Sequence, residues 1–216
     1  MARRTLTFLL MATLLVAARS GLGADILYDT LNQPVHVDGN FSDGVWLALS
    51  FRTLHSTDSL ESVTIALRNP NFLSAGSIQF TLFDALGPGG LPGGAIGTPL
   101  GSVAIADIST NAYQQVTFDT LHRPVENDTN YWIVVASDGL SGPYFIGATQ
   151  STGGSTTGSS GFTMSTNLGV NWNPASTSFL TIGQVISAPE PSTLLLGLVA
   201  AIMVSIRAIR PGSSTA

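Results

Sequence analysis

Thirteen carboxylates, three histidines and three tryptophans are the side chains of this 216-residue chain best equipped to react or to grip a ligand. Paired carboxylates can cleave a glycosidic bond, one as acid and the other as base or nucleophile. Glu61, Glu126 and the aspartates are scattered, however, and no spacing singles out a pair. His36, His55 and His122 each lack a second ligand-type residue at metal-site spacing, which favours solvated or structural roles. The chain has no cysteine and no G-x-S-x-G nucleophile elbow, and its many serines sit in turn contexts. Asp38-Gly39-Asn40 and Asp43-Gly44 read as a turn with oxygen ligands, yet they miss the spacing of a calcium loop. Calcium is a candidate ligand there, and no other cofactor is expected. Trp46 and Trp132 stand among aliphatic residues and read as core. Trp172 differs, lying in the polar stretch Asn171-Trp172-Asn173-Pro174, where it either pins a loop or offers a flat face to a sugar. The residues therefore predict no enzyme, and Trp172 is the candidate ligand contact.

The elements that must carry these side chains are strands. Gly, Ser, Thr, Asn and Pro recur every few residues, with short β-branched and aromatic runs between them. The clearest runs are Ser62 to Leu67, Ser77 to Phe83, Gln115 to Phe118 and Tyr131 to Ala136. Further candidates are Ile26 to Tyr28, Trp46 to Phe51, Ser102 to Ile105, Tyr144 to Ile146, Gly161 to Ser165 and Phe179 to Ile186. Alternation puts Val63, Ile65 and Leu67 on one face, and sets Gln79 and Thr81 toward water. Ten or so such strands joined by turn-rich loops predict an all-β fold, a β-sandwich of jelly-roll-like type. Gly87 to Pro99 lacks the Lys-Ser/Thr of a phosphate loop and reads as a long connection between sheets. Thr149 to Gly161 has no apolar residue and reads as a mobile surface loop.

Both ends of the chain differ from this middle. Arg3 and Arg4 precede an apolar run, Leu6 to Ala18, and small residues follow at Ser20, Gly21, Gly23 and Ala24. That is the pattern of a secretory signal peptide, residues 1–24, with cleavage after Gly23 or Ala24. At the other end Pro189-Glu190-Pro191-Ser192 leads into an uncharged run from Leu194 to Ile206, closed by Arg207 and Arg210. The prolines keep helix from starting early, and Ser192 or Thr193 can cap one that starts there. Thirteen residues of helix rise about 20 Å, short of a hydrocarbon core of roughly 30 Å, and snorkelling arginines extend the reach. A transmembrane segment over 193–209 is expected, with the arginines as its cytoplasmic stop.

Between the ends lies an exported domain, 25–187, long enough for one real core. Without cysteine it must rely on burial and sheet hydrogen bonds despite an oxidising compartment. Three arginines against thirteen acids leave residues 25–190 at a formal −10. Such a surface repels phosphate backbones, so nucleic acid is not an expected partner.

The order Pro-Glu-Pro, apolar run and arginines at the C-terminus resembles the PEP-CTERM sorting signal of bacterial exported proteins, here residues 188–216. The resemblance implies recognition by a membrane-embedded exosortase, with Pro189, Glu190, Pro191 and Ser192 as the sorting motif. It implies delivery to the cell surface or extracellular matrix. A second likeness rests on Phe51-Arg52-Thr53, Leu60 to Thr64, Phe80 to Asp84 and above all Asn127 to Val135, where a polar turn introduces a Tyr-Trp strand. Over residues 40 to 186 this order looks like the choice-of-anchor domains, particularly type R, which carry over no catalytic residues. Together the two likenesses imply a structural or adhesive surface protein. A carbohydrate-binding module acting on exopolysaccharide is the alternative.

Overall fold

The structure, a computed structural model, describes residues 24–35, 37–54, 57–140, 142–149, 161–173, 180–181 and 183–189. These residues form twelve strands: β1 (Asp25–Asp29), β2 (Val37–Phe41), β3 (Trp46–Arg52), β4 (Thr57–Arg68), β5 (Ser77–Asp84) and β6 (Gly101–Ala104) in the first half. The second half supplies β7 (Gln114–Pro124), β8 (Asn130–Asp138), β9 (Tyr144–Thr149), β10 (Phe162–Ser165), β11 (Leu180–Thr181) and β12 (Gly183–Pro189). Two single 3-10 turns, Pro88–Gly90 and Ile105–Asp107, are the only helical segments among the described residues. A seven-stranded sheet follows the order β1-β12-β4-β9-β11, with β2 also paired to β9 and β7 to β4. A five-stranded sheet has the order β10-β3-β8-β5-β6. The strand pairs are antiparallel, and one core joins the two sheets, which is the layering of an all-β sandwich.

Alternation builds that core. Val63, Ile65 and Leu67 of β4 are completely buried and share a cluster with Phe80 and Leu82 of β5. Phe118 of β7 reaches from the larger sheet to Phe80 of the smaller one, ring centroids 4.4 Å apart. Phe51 and Tyr131 stack at 5.9 Å, in register across β3 and β8. Of the pair expected to face water, Gln79 is exposed and Thr81 only half so. On β4 the small side chains of Thr64 and Ala66, opposite the core face, are buried as well. The Thr64 hydroxyl is bonded to that of Thr117 at 2.8 Å across the β4–β7 pair.

Over the described residues each expected strand run falls in a strand, except that Ile105 opens a 3-10 turn and Gly161 lies just before β10, and two loop readings are corrected. Asp38-Gly39-Asn40 is not a turn: it lies inside β2, where Asp38 pairs with Gly147 and Asn40 with Phe145. Of Phe179 to Ile186, Phe179 and Ile182 lie outside the described residues; Leu180 and Thr181 form β11, paired with β9, and Gly183 to Ile186 belong to β12, paired with β1. Gly87 to Pro99 does not pass between sheets. It joins β5 to β6, neighbours in the same sheet, and bonds back onto β5.

Two buried phenols make the sandwich sensitive to alkali. Burial pushes the Tyr28 hydroxyl up to about 12, with the Asp29 charge adding a little and the Thr30 hydrogen bond opposing. The wholly buried Tyr144 hydroxyl is raised further by the same desolvation. The unfolded chain releases these protons near pH 10 while the folded chain retains them. Stability should therefore be intact below pH 10 and fall above it, by about 1.4 kcal/mol per pH unit for each tyrosine. Chemical denaturation between pH 9 and 12 measures the slope, and Tyr28→Phe should remove its share.

Candidate functional site

β8 carries the run Tyr131-Trp132-Ile133-Val134-Val135, in which every residue is buried. Period-two geometry sends alternate side chains to opposite faces. Tyr131, Ile133 and Val135 enter the core between the sheets, whereas Trp132 and Val134 face outward and form a second cluster with Ala48. Trp132 is thus buried as expected, but on the outer face of the five-stranded sheet. Trp46, Phe83, Leu91 and Trp172 pack around that outer cluster. All three tryptophans of the chain meet there, because β10, β3 and β8 are adjacent.

Two loops close over this face. After β10 the Ser165 hydroxyl accepts from the Asn167 and Gly169 amides, and the Asn167 side chain accepts from the Asn171 amide. These bonds hold Gly169 on the Trp46 ring, where a Cβ would stand 2.6 Å from two ring carbons. The chain then returns along the sheet: the Thr163 hydroxyl donates to the Asn173 carbonyl at 2.5 Å and the Asn173 amide to the Met164 carbonyl at 2.9 Å. Trp172 is thereby pinned half-buried, with Leu168 and Val170 exposed beside it. From the other side comes the Gly/Pro loop. Its Gly90 carbonyl accepts the indole N–H of Trp132 at 2.9 Å, and Leu91 packs on the same cluster.

The root of the Gly/Pro loop shapes a second feature. Oδ1 of Asp84 accepts from the Leu86 and Gly94 amides at 3.1 and 3.0 Å, and Ile96 donates to the Leu82 carbonyl at 2.7 Å. Between this root and the turn before β8 opens a cleft of about 510 Å³, lined by Asp84, Leu86, Glu126, Asp128, Asn130 and Tyr131 among others. The turn is fixed from below. The Thr53 hydroxyl donates to the Glu126 carbonyl at 2.7 Å and accepts from the Thr129 amide at 2.8 Å. Tyr131 uses its hydroxyl oxygen to accept from the Glu126 amide at 2.8 Å, and burial pushes its phenol up, against that hydrogen bond. An acceptor-rich wall with an apolar rim suits hydroxyl or amine donors. Nothing in the sequence brings Asp84 and Glu126 together, because strand pairing does so across forty-odd positions. Thr53→Val should leave the turn unsupported and cost about 1–2 kcal/mol, read from the denaturant midpoint.

The other expected residues divide sharply. Pro189 closes β12. Glu190, Pro191, Ser192, Arg207 and Arg210 lie outside the described residues, as do residues 1–23 of the expected signal peptide and the expected segment 193–209. Among the described residues no helix is long and apolar enough to cross a membrane. His36 and His55 also lie outside them, and His122 falls in β7. Among the described residues no three His, Asp or Glu side chains are grouped to hold a metal ion. No family model matches this chain, and no curated protein matches it either.

Proposed function

We propose that this is an exported, non-enzymatic surface protein with a structural or adhesive role in the bacterial envelope or its matrix. A signal peptide over 1–24 sends it out, and the tail over 188–216 hands it to an exosortase-type enzyme in the membrane. The carrying observation is the order Pro-Glu-Pro, apolar run and arginines, whose first residue, Pro189, is the last described residue of β12. The same reading takes the two sheets as a jelly-roll-like module and the segment 193–209 as a membrane anchor until it is cut. In a host with an exosortase, the protein should occur as a membrane precursor and a shorter released form. If both forms persist unchanged when the exosortase gene is deleted, the sorting reading is wrong.

A second reading has one observation in its favour. Trp46, Trp132 and Trp172 share the outer face of one sheet, and aromatic faces stack on sugars. In that reading the domain binds exopolysaccharide through Trp172. Its test is binding of the released domain to purified matrix polysaccharide, with Trp172→Ala expected to abolish it. Equal binding by the variant rejects that role for Trp172.

A further inference from the structure

The cleft between the root of the Gly/Pro loop and the turn before β8 is unbalanced in its hydrogen bonding. Asp84, Glu126 and Asp128 line it with carboxylates, and no lysine, arginine or histidine is among its lining residues. Acids alone would define no ligand, because water serves such groups well. The Tyr131 hydroxyl adds a different demand. Tyr131 is 5% exposed and lines the cleft, while its ring stacks on Phe51 in the core. Its oxygen accepts from the Glu126 amide at 2.8 Å, and among the described residues nothing accepts from its hydrogen. A phenol can donate while it accepts, and side chains this buried ordinarily use both capacities. Whatever fills the cleft, water or ligand, takes that hydrogen.

Together the two demands select a chemistry. A ligand has to donate to the carboxylates and, in the same cleft, accept from Tyr131. Ammonium and guanidinium groups donate but have no lone pair to offer. Carboxylate and phosphate groups accept, but the acids of the wall repel them. An alcohol does both, and a polyol does so several times over. The rest of the lining fits a polyol with an apolar side. Ala85, Leu86 and Ile96 form the rim, and Leu86 is 86% exposed there. A pyranose ring carries C–H groups on its faces and hydroxyls around its edge, so a face can pack on the rim while the edge bonds to the wall. At about 510 Å³ the cleft falls in the range of small-molecule sites, which combine apolar lining with a few placed polar groups.

We infer that this cleft binds a hexopyranose unit, with Asp84 and Glu126 accepting from ring hydroxyls and the Tyr131 hydroxyl donating to one. The wall is set before a sugar arrives. Asp84 Oδ1 is held by the Leu86 and Gly94 amides, which leaves Oδ2 to face a ligand. The Glu126 backbone is fastened on both sides, its carbonyl by the Thr53 hydroxyl and its amide by Tyr131, while its side chain is exposed. Such preorganisation lowers the ordering cost of binding. Neither the sorting of the tail nor Trp172, which does not line the cleft, bears on this site.

The test uses the full chain in a detergent without sugar headgroups and follows the backbone amide signals of Leu86, Gly94 and Glu126 by NMR. Those amides bond to Asp84 and Tyr131, so they report on the cleft wall. The probes are the methyl glycosides of glucose, galactose and mannose, which differ in hydroxyl geometry, and spermidine as an amine. At least one glycoside should shift these signals saturably. Glu126→Ala keeps the backbone groups that anchor the turn and should weaken that binding roughly 10-fold. Tyr131→Phe should weaken it roughly 3- to 10-fold, the worth of one neutral hydrogen bond. Trp172→Ala should leave it unchanged. Circular dichroism matching wild type shows that each variant is folded. The inference is overturned if no glycoside shifts the signals, if spermidine alone does, or if Glu126→Ala and Tyr131→Phe bind the glycoside as well as wild type. Glycoside binding that is lost with Trp172→Ala but kept by Glu126→Ala also overturns it, and leaves the exopolysaccharide reading through Trp172 standing.

Discussion

Trp132→Ala should lower the stability of the sandwich by about 3–5 kcal/mol, the range found when a large buried aromatic is truncated. The side chain is only 4% exposed, although it points away from the main core. Truncation empties the centre of the outer cluster, where Ala48 and Val134 are too small to close the space. It also frees the Gly90 carbonyl, which holds the Gly/Pro loop down through the indole N–H. At about 2–4 °C per kcal/mol for a domain of this size, the melting temperature should fall by roughly 10 °C. Trp172→Ala should cost less than half as much, because its ring is partly exposed and its loop keeps several backbone anchors. Thermal melts of both variants compare the two. Equal losses would mean that the outer cluster is not centred on Trp132.

Gly183→Ala should be the most disruptive change of a single methyl in the β12 region. A Cβ there would stand 2.7 Å from the carbonyl oxygen of Thr64, with Ile65 atoms at 3.5 and 3.8 Å behind it. The obstructing atom belongs to the backbone of β4 in mid-sheet, so it cannot swing aside as a flexible side chain would. β12 must move instead, and any shift strains the three hydrogen bonds joining Gly183 to Thr30. Overpacking of this kind costs about 1–3 kcal/mol, and the lost anchors place the expected loss at the upper end. Gly94→Ala is the control, since its added methyl would meet only Asp84 Oδ2, at 3.5 Å. Urea midpoints should drop for Gly183→Ala and stay near wild type for Gly94→Ala.

How far the sequence could be read depended on where each signal resides. Val63-Thr64-Ile65-Ala66-Leu67 announces its strand because alternation is a property of neighbouring residues. β2 hides, because Val37-Asp38-Gly39-Asn40-Phe41 has the composition of a turn. Its pairing with β9 is made by backbone groups, which leave little trace in composition. The unbroken apolar run of β8 correctly implies burial but cannot say that its two faces enter different clusters. The Gly/Pro loop looks like a structureless crossing, whereas its tie to β5 comes from Asp84 and from backbone amides. The meeting of the three tryptophans is illegible in principle from their positions. It follows from the order β10-β3-β8, which long-range pairing sets. The acidic cleft is hidden for the same reason.

β12 lies between β1 and β4, and Pro189 is its last described residue. That placement fixes how the domain meets mechanical load. A pull entering through Pro189 and resisted elsewhere in the sandwich runs along the strand, perpendicular to its ladder bonds. The bonds on both edges then bear force together, in shear. A pull that separates residues 25 and 187 would instead load one rung at a time and peel the pair apart. Survival under force is set by the unfolding rate. In the reading proposed above, in which the domain is tethered by its C-terminal end, load would therefore fall on its stronger geometry, the one that suits a surface protein dragged by flow or by its matrix.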